Sequence, residues 1–132
     1  SIYSIFETKG ELFFRKKERE CLEWILSEKK PMIISLGGGT PCYFDTMHFL
    51  STIEDVQTIY LKTSVSNLTE RLVDEIDQRP LISHLKSKAE IAEFIGKHLF
   101  ERNPYYSQAK LSVTTDGKSP LAVASEIEKL LT

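Results

Sequence analysis

Short β-prone runs alternate with segments of helical periodicity along this 132-residue chain. Runs that predict strands lie at 31–36 (PMIISL), 56–63 (VQTIYLKT) and 111–115 (LSVTT), and the first two read as buried. Apolar residues at helical spacing predict helices at roughly 10–29, 43–51, 66–76, 88–102 and 120–131. Because strands alternate with helices, we predict a three-layer α/β domain whose mainly parallel sheet is covered on both faces.

Size and charge exclude several classes of protein. The chain suits one globular domain, and its net charge of -2 gives no long-range attraction to nucleic acid or an acidic membrane. No apolar run approaches a membrane span and the first residues lack a signal-peptide pattern, so we expect a cytoplasmic protein. Cys21 and Cys42 read as buried or free thiols, and His48, His84 and His98 lack the spacing of metal ligands.

Three consecutive glycines, Gly37, Gly38 and Gly39, follow the first predicted strand. Ligands bind parallel sheets at the carboxyl ends of strands, and residues without side chains let backbone N–H groups approach a ligand closely. The alternative is a tight turn that needs a positive φ, although one glycine would usually satisfy it. The three glycines therefore favour a binding role.

Two arginines fall in line with the apolar stripes of their predicted helices. Arg15 lies seven residues before Leu22, and Arg102 lies seven residues after Ile95, so each is two helical turns from a core position. Inward-pointing arginines suggest a bound anion, because the planar guanidinium bonds a carboxylate or phosphate bidentately. The alternatives are that Arg102 caps a helix C-terminus and that Arg15 only pairs with Glu18.

Arg79 lies in a polar stretch directly before Pro80, which disfavours helix at the preceding residue. We predict a lid loop at about 74–90 whose arginine could close over a phosphoryl group and exclude water. The alternative is a solvated loop whose arginine has no function. Further along, Ser119 and Pro120 mark the N-cap and first residue of the last helix.

Four segments in this order, SIYSIFETKGELFFRKKE, IISLGGG, QRPLI and ERNPYYSQA, resemble successive signature segments of the shikimate kinase family. The resemblance covers essentially the whole chain. It implies a P-loop kinase fold like that of the nucleoside monophosphate kinases, as a single domain over residues 1–132. It also implies ATP-dependent phosphorylation of the shikimate 3-hydroxyl, giving shikimate 3-phosphate and ADP in aromatic amino-acid synthesis, by a monomer.

The resemblance assigns substrate binding to five residues: Arg15, Gly37, Gly38, Gly39 and Arg102. Arg15 and Arg102 would clamp the shikimate carboxylate, and Glu18 would orient Arg15. The glycine backbone groups would meet the ring hydroxyls. The resemblance thus suggests a ligand for the two inward-pointing arginines.

The resemblance also implies which residues bind the nucleotide. Arg79 matches the family's lid arginine, which reaches the transferring phosphate, so we expect it to be catalytic as well as nucleotide-binding. Arg71, Lys118 and Pro120 would flank the adenine of ATP, with a lysine at 118 where an arginine is common. Mg²⁺ is implied as well, but we assign no metal ligand in this chain.

The family's N-terminal strand and G-x-x-x-x-G-K-[ST] loop have no counterpart in these residues, because Gly39 is followed by Thr40, Pro41 and Cys42 with no lysine. We therefore expect that this portion lies outside the sequence, that the fold here lacks its N-terminal strands, and that these residues alone do not catalyse. Two alternatives stay open. One is a non-catalytic fragment with part of a carboxylate pocket, and the other is a related small-metabolite kinase, such as a gluconate-type kinase.

Overall fold

A computed structural model describes residues 1–79, 82–85 and 87–132. The helices are α1 (Ile2–Lys9), α2 (Glu11–Ser27), α3 (Thr46–Ser51), α4 (Val65–Val73), α5 (Lys88–Tyr106) and α6 (Pro120–Leu131). The strands are β1 (Ile59–Lys62) and β2 (Leu111–Thr114), and 3₁₀ turns lie at Thr40–Cys42 and Ile76–Gln78. Two compact units divide the chain, Ser1–Val56 and Gln57–Thr132.

The first unit begins with a helical hairpin. The Ser1 hydroxyl accepts the Ser4 N–H and caps α1. Gly10, with φ of 86°, ends α1 and starts α2, a conformation that glycine adopts without a Cβ clash. The rings of Phe6 and Phe14 then meet edge to face with centroids 5.0 Å apart, so the two helices pack through aromatic side chains.

The predicted strand at 31–36 is wrong. These residues form no strand, Met32 is exposed and Ile33 is fully exposed. Within the described residues, the sheet consists of β1 and β2 alone, so the apolar run has no neighbour whose backbone could complete a ladder. An apolar, β-prone sequence becomes a strand only when such a partner is present.

In the second unit, β1 and β2 pair in parallel, in a register from Ile59 opposite Leu111 to Lys62 opposite Thr114. The connection between the strands contains α4 and α5, which pack on each other. Val113 is almost completely buried, but Leu61 is 52% exposed. The second predicted strand is therefore present but not buried at Leu61, because no described residue covers that side chain.

Helix boundaries largely follow the sequence pattern. Ser119 caps α6 by accepting the Ala122 N–H, and Pro120 is its first residue, as predicted. α5 continues past the predicted end at residue 102 to Tyr106 and includes Pro104. The predicted lid at about 74–90 includes Pro80, which with residues 81 and 86 lies outside the described residues. Over the described ranges, no helix is both long enough and apolar enough to cross a membrane.

Candidate functional site

Arg15 is the most buried charged residue on α2, with 8% of its surface exposed. Its Nη1 donates to Glu18 Oε1 at 3.0 Å, one helical turn further along. The burial predicted from the apolar stripe and the contact with Glu18 are both confirmed. Because the guanidinium is always charged, its burial requires partners on several sides.

Three aromatic rings lie around the Arg15 guanidinium. The guanidinium carbon of Arg15 lies 5.9 Å from the ring centroid of Phe6, 5.2 Å from that of Phe14 and 5.1 Å from that of Tyr43. Rings at these distances attract a cation through their negative faces. We did not predict this aromatic surrounding, because it depends on the turn at Gly10 that returns α1 to α2.

The glycine segment lies against the same guanidinium. A Cβ added at Gly39 would lie 2.5 Å from Arg15 Cζ and 2.8 Å from Nη1, closer than real side-chain carbons approach. A Cβ at Gly37 would lie 3.2 Å from Thr40 Oγ1 and 3.4 Å from Glu18 Oε2. The Thr40 N–H donates to the Gly37 carbonyl oxygen at 3.0 Å, so the segment does turn, but neither glycine has the positive φ that the turn alternative requires. At Gly39, the absent side chain is what lets Arg15 pack against the backbone.

Two buried polar atoms in this region have no hydrogen-bond partner among the described residues, Arg15 Nε and Thr40 Oγ1. Glu11 Oε1 is 3.6 Å from Arg15 Nε, which is an ion pair but too long for a hydrogen bond. Buried groups without partners are uncommon in native proteins and often mark a position that a ligand or water completes. Neither atom was predicted, since sequence does not reveal which buried atoms stay unpaired.

Tyr43 connects to the site through Glu11. Its hydroxyl donates to Glu11 Oε1 at 2.8 Å. This hydrogen bond is the main reason that the pKa of Tyr43 is raised, with burial and the Glu11 charge adding to it, while Arg15 acts in the opposite direction. Tyr43 therefore keeps its proton at neutral pH and acts as a donor.

Arg19, which lies on α2, anchors the chain segment that follows the glycines. Its Nη1 donates to the Phe44 carbonyl oxygen at 2.5 Å and to Thr46 Oγ1 at 3.2 Å. Its guanidinium carbon also lies 4.2 Å from the Phe49 ring centroid. Phe44 has a positive φ of 52°, which such anchoring helps to maintain. Arg19 was missed because its helical position carries no unusual pattern.

Arg102 lies in the second unit, where it is half-buried on α5. The helix continues to Tyr106 and has no basic residue in its last turn, so the helix-capping alternative is not supported. Burial lowers the pKa of His98, and the Arg102 charge lowers it further, so His98 is mainly neutral at pH 7. The joint clamp of Arg15 and Arg102 on one carboxylate stays a prediction.

Two of the predicted nucleotide-binding cations, Arg79 and Lys118, have carboxylate partners. Arg79 donates to Glu75 Oε2 from Nε at 3.1 Å and from Nη2 at 2.8 Å, and 55% of its side chain is exposed. Lys118 Nζ donates to Glu126 Oε2 at 2.8 Å. Arg71 and Pro120 are both exposed. The nucleotide roles of these residues stay predictions.

Asp116 orders the loop after β2, which sequence reasoning did not single out. The Ser64 N–H donates to Asp116 Oδ1 at 3.0 Å, which joins the residues that follow β1 to those that follow β2. A hydrogen bond from the Asn67 side chain, then those from Ser64, hold the pKa of Asp116 below its ordinary value. Beside it, the Thr63 and Thr115 hydroxyl oxygens lie 2.6 Å apart.

Cys21 is exposed and Cys42 is half-buried, and neither forms a disulfide among the described residues. Among residues 1–79, 82–85 and 87–132, no three His, Cys, Asp or Glu side chains gather closely enough to hold a metal ion.

Comparison with known proteins places these features in a family. The shikimate kinase family profile matches residues 1–132. A shikimate kinase of Flavobacterium psychrophilum is 49% identical over 131 residues, which cover 99% of this chain and 75% of that protein. A shikimate kinase of Flavobacterium johnsoniae is 44% identical over 119 residues, covering 90% of this chain and 68% of that protein.

A solved structure agrees with the sequence matches. The crystal structure of shikimate kinase from Bacteroides thetaiotaomicron matches with a TM-score of 0.83 and 30% identity, over 98% of this chain and 72% of that chain. The predicted α/β fold of the P-loop kinase type is confirmed by this likeness.

Proposed function

The chain belongs to the shikimate kinase family, and from this premise we propose that it serves in the ATP-dependent phosphorylation of the shikimate 3-hydroxyl. The products are shikimate 3-phosphate and ADP. The single observation that carries the substrate assignment is the buried Arg15, whose Nε has no hydrogen-bond partner among the described residues. The cytoplasmic location inferred from the sequence pattern and the monomeric state implied by the resemblance stay predictions.

The surroundings of Arg15 suit a small ring that carries a carboxylate. Its guanidinium provides a fixed positive charge, and charge-assisted hydrogen bonds to a carboxylate are among the strongest in proteins. Phe6, Phe14 and Tyr43 surround that charge with apolar surface, against which a carbon ring can pack. The backbone at Gly39 approaches Arg15 without an intervening side chain. In the proposal, Arg102 completes the carboxylate clamp.

The nucleotide side of the proposal depends on cations that must exchange partners. Exposed ion pairs contribute only about 0–1 kcal/mol, so Arg79 can leave Glu75 for a phosphate at little energetic cost. The same reasoning lets Lys118 leave Glu126. In the proposal, Arg79 stabilises the charge of the transferring phosphoryl group, while Arg71, Lys118 and Pro120 border the adenine.

Residues 1–132 contain no G-x-x-x-x-G-K-[ST] sequence, and the described residues offer no cluster of metal ligands. We therefore derive no step through Mg²⁺. A protein that phosphorylates shikimate must combine these residues with a P-loop, which cradles the phosphates of ATP. Accordingly, we expect residues 1–132 alone to bind shikimate without turning it over.

Substitution of Arg15 tests the substrate assignment. We expect Arg15→Ala to weaken shikimate binding about 100-fold or more, since removing one member of a buried charged pair typically loses about 2–5 kcal/mol of binding. Titration calorimetry with shikimate and with its neutral methyl ester measures this directly. The ester should bind weakly and should be little affected by the substitution, because it lacks the negative charge.

Lys17→Ala is the matched control, because Lys17 is an exposed cation on the same helix and pairs with Glu20. Its shikimate affinity should match that of the unsubstituted chain. If Arg15→Ala changes thermal stability and leaves binding unaltered, the fragment alternative is favoured. A neutral sugar analogue that binds as well as shikimate would instead favour a related small-metabolite kinase in which Arg15 does not hold a substrate carboxylate.

A further inference from the structure

We propose that Tyr43 is a positioning residue that holds the Glu11 carboxylate just beyond hydrogen-bond distance of Arg15 Nε, so that this N–H remains available to an anionic ligand. The identification of that ligand as a carboxylate such as shikimate rests on the proposed function. The positioning itself is a property of the first unit and can be measured without any ligand.

The distances show where Glu11 is held. Tyr43 donates to Glu11 Oε1 at 2.8 Å, and the same oxygen lies 3.6 Å from Arg15 Nε. A good N–H···O hydrogen bond spans about 2.7–3.2 Å, so the carboxylate stops just short of the arginine. Arg15 Nε is buried and has no hydrogen-bond partner among the described residues.

Helix geometry by itself favours a hydrogen bond between Glu11 and Arg15 Nε, but this bond is not formed. Glu11 lies four residues before Arg15 on α2, which is the favourable order for an acidic and a basic residue on one helix face. A carboxylate in that position would normally complete the pair with a buried arginine. The competing donor is the Tyr43 hydroxyl, whose ring also lies 5.1 Å from the Arg15 guanidinium carbon.

The arrangement matters because Arg15 already bonds a second carboxylate. Glu18 accepts from Nη1 at 3.0 Å. If Glu11 also bonded Nε, protein carboxylates would occupy two N–H groups of the arginine, and an incoming anion would have to displace one of them. Holding Glu11 on Tyr43 leaves the Nε–H without a hydrogen-bond partner among the described residues, while Glu11 stays within ion-pair distance. Tyr43 thereby determines whether this N–H is open to a ligand.

Four variants separate this role from a structural one. They are Tyr43→Phe, which keeps the ring and removes the hydroxyl, Glu11→Gln, their combination, and Tyr3→Phe. Tyr3 donates to Glu7 at 2.7 Å on the exposed face of α1, so Tyr3→Phe removes the same kind of bond with no arginine beside it. It is the matched control and should leave every measurement unchanged.

The first measurement is the NMR signal of the Arg15 Nε–H in the absence of ligand. In Tyr43→Phe, the released Glu11 should bond Nε, so the signal should move downfield and exchange more slowly with water. The second measurement is binding of shikimate and of its methyl ester. Tyr43→Phe should weaken shikimate about fivefold, the equivalent of one hydrogen bond, and leave the ester unchanged. Adding Glu11→Gln should restore shikimate binding.

An unchanged Nε–H signal in Tyr43→Phe overturns the inference. So does an equal loss of acid and ester binding that Glu11→Gln does not rescue, because that pattern means Tyr43 only supports the structure. If the unsubstituted chain fails to bind shikimate, the proposed function fails, and the Nε–H signal alone then decides whether Tyr43 holds Glu11 beyond hydrogen-bond distance of Arg15 Nε.

Discussion

The two compact units of this chain hold their candidate cations in opposite environments. In Ser1–Val56, Arg15 is buried among aromatic rings and lies against the glycine backbone. In Gln57–Thr132, Arg79 is exposed and pairs with Glu75. A buried cation is held in one geometry by everything around it, whereas an exposed pair can separate at little cost. Under the proposed function, the substrate site is therefore preformed, and the nucleotide side forms when the ligand arrives.

Among the substitutions that compare the two units, the largest effect is expected from filling the space against Arg15. Gly39→Ala places a carbon within 2.5 Å of the Arg15 guanidinium carbon, so the arginine must move. We expect shikimate binding to fall about 10- to 100-fold and the free energy of unfolding to drop by about 1–3 kcal/mol, as overpacking usually causes. Calorimetric titration and chemical denaturation measure the two quantities.

Gly96→Ala provides the contrast from the second unit. A Cβ at Gly96 meets nothing within 4 Å, and the residue lies inside α5. Alanine there should stabilise the protein by about 0.5–1 kcal/mol, because glycine is unfavourable within a helix. If Gly39→Ala behaved like Gly96→Ala, the packing of Arg15 against the glycine backbone would be of no consequence.

Substitutions at two ion pairs, one in each unit, are expected to have effects of intermediate size. Glu18→Gln weakens the partner of a buried arginine, so we expect about 1–3 kcal/mol of lost stability and roughly tenfold weaker shikimate binding. Glu75→Gln alters an exposed pair and should change stability by less than about 0.5 kcal/mol. Equal effects in denaturant titrations would contradict the distinction between the two units.

The smallest effect concerns the pH dependence at Asp116. Its pKa in the folded state lies below the ordinary value of 3.8, so its hydrogen bonds stabilise the fold above that pH and are lost as the pH falls through the folded pKa. We expect Asp116→Ala to lower the melting temperature at pH 7. That difference should shrink steadily below about pH 4, as thermal unfolding at several pH values can show. If the difference in melting temperature stays constant down to pH 2.5, the hydrogen-bonded carboxylate is not its cause.

Features that depend on nearby residues could be predicted. The bounds of α6 follow from Ser119 and Pro120, which act through capping and a fixed backbone angle. The burial of Arg15 and its contact with Glu18 follow from helical periodicity alone. Both inferences use side chains within two helical turns, so no knowledge of the distant chain was required.

Features that depend on distant partners were missed or misread. The run at 31–36 has strand composition, but no described neighbour completes its ladder. α1 went unpredicted, and with it the placement of Phe6 beside Arg15. The bond between Tyr43 and Glu11 joins residues 32 positions apart, so no local pattern could indicate it.

By itself, the sequence determined the helices other than α1, the inward direction of Arg15 and, through four ordered segments, the resemblance to the shikimate kinase family. Tertiary structure alone decided what surrounds Arg15: which rings cover it, why Gly39 must lack a side chain and which carboxylate stays off Nε. The physical reason is the distance along the chain over which each kind of interaction acts. Periodicity and capping act within a few residues, whereas burial, ring contacts and competition for a donor depend on atoms that only folding brings together.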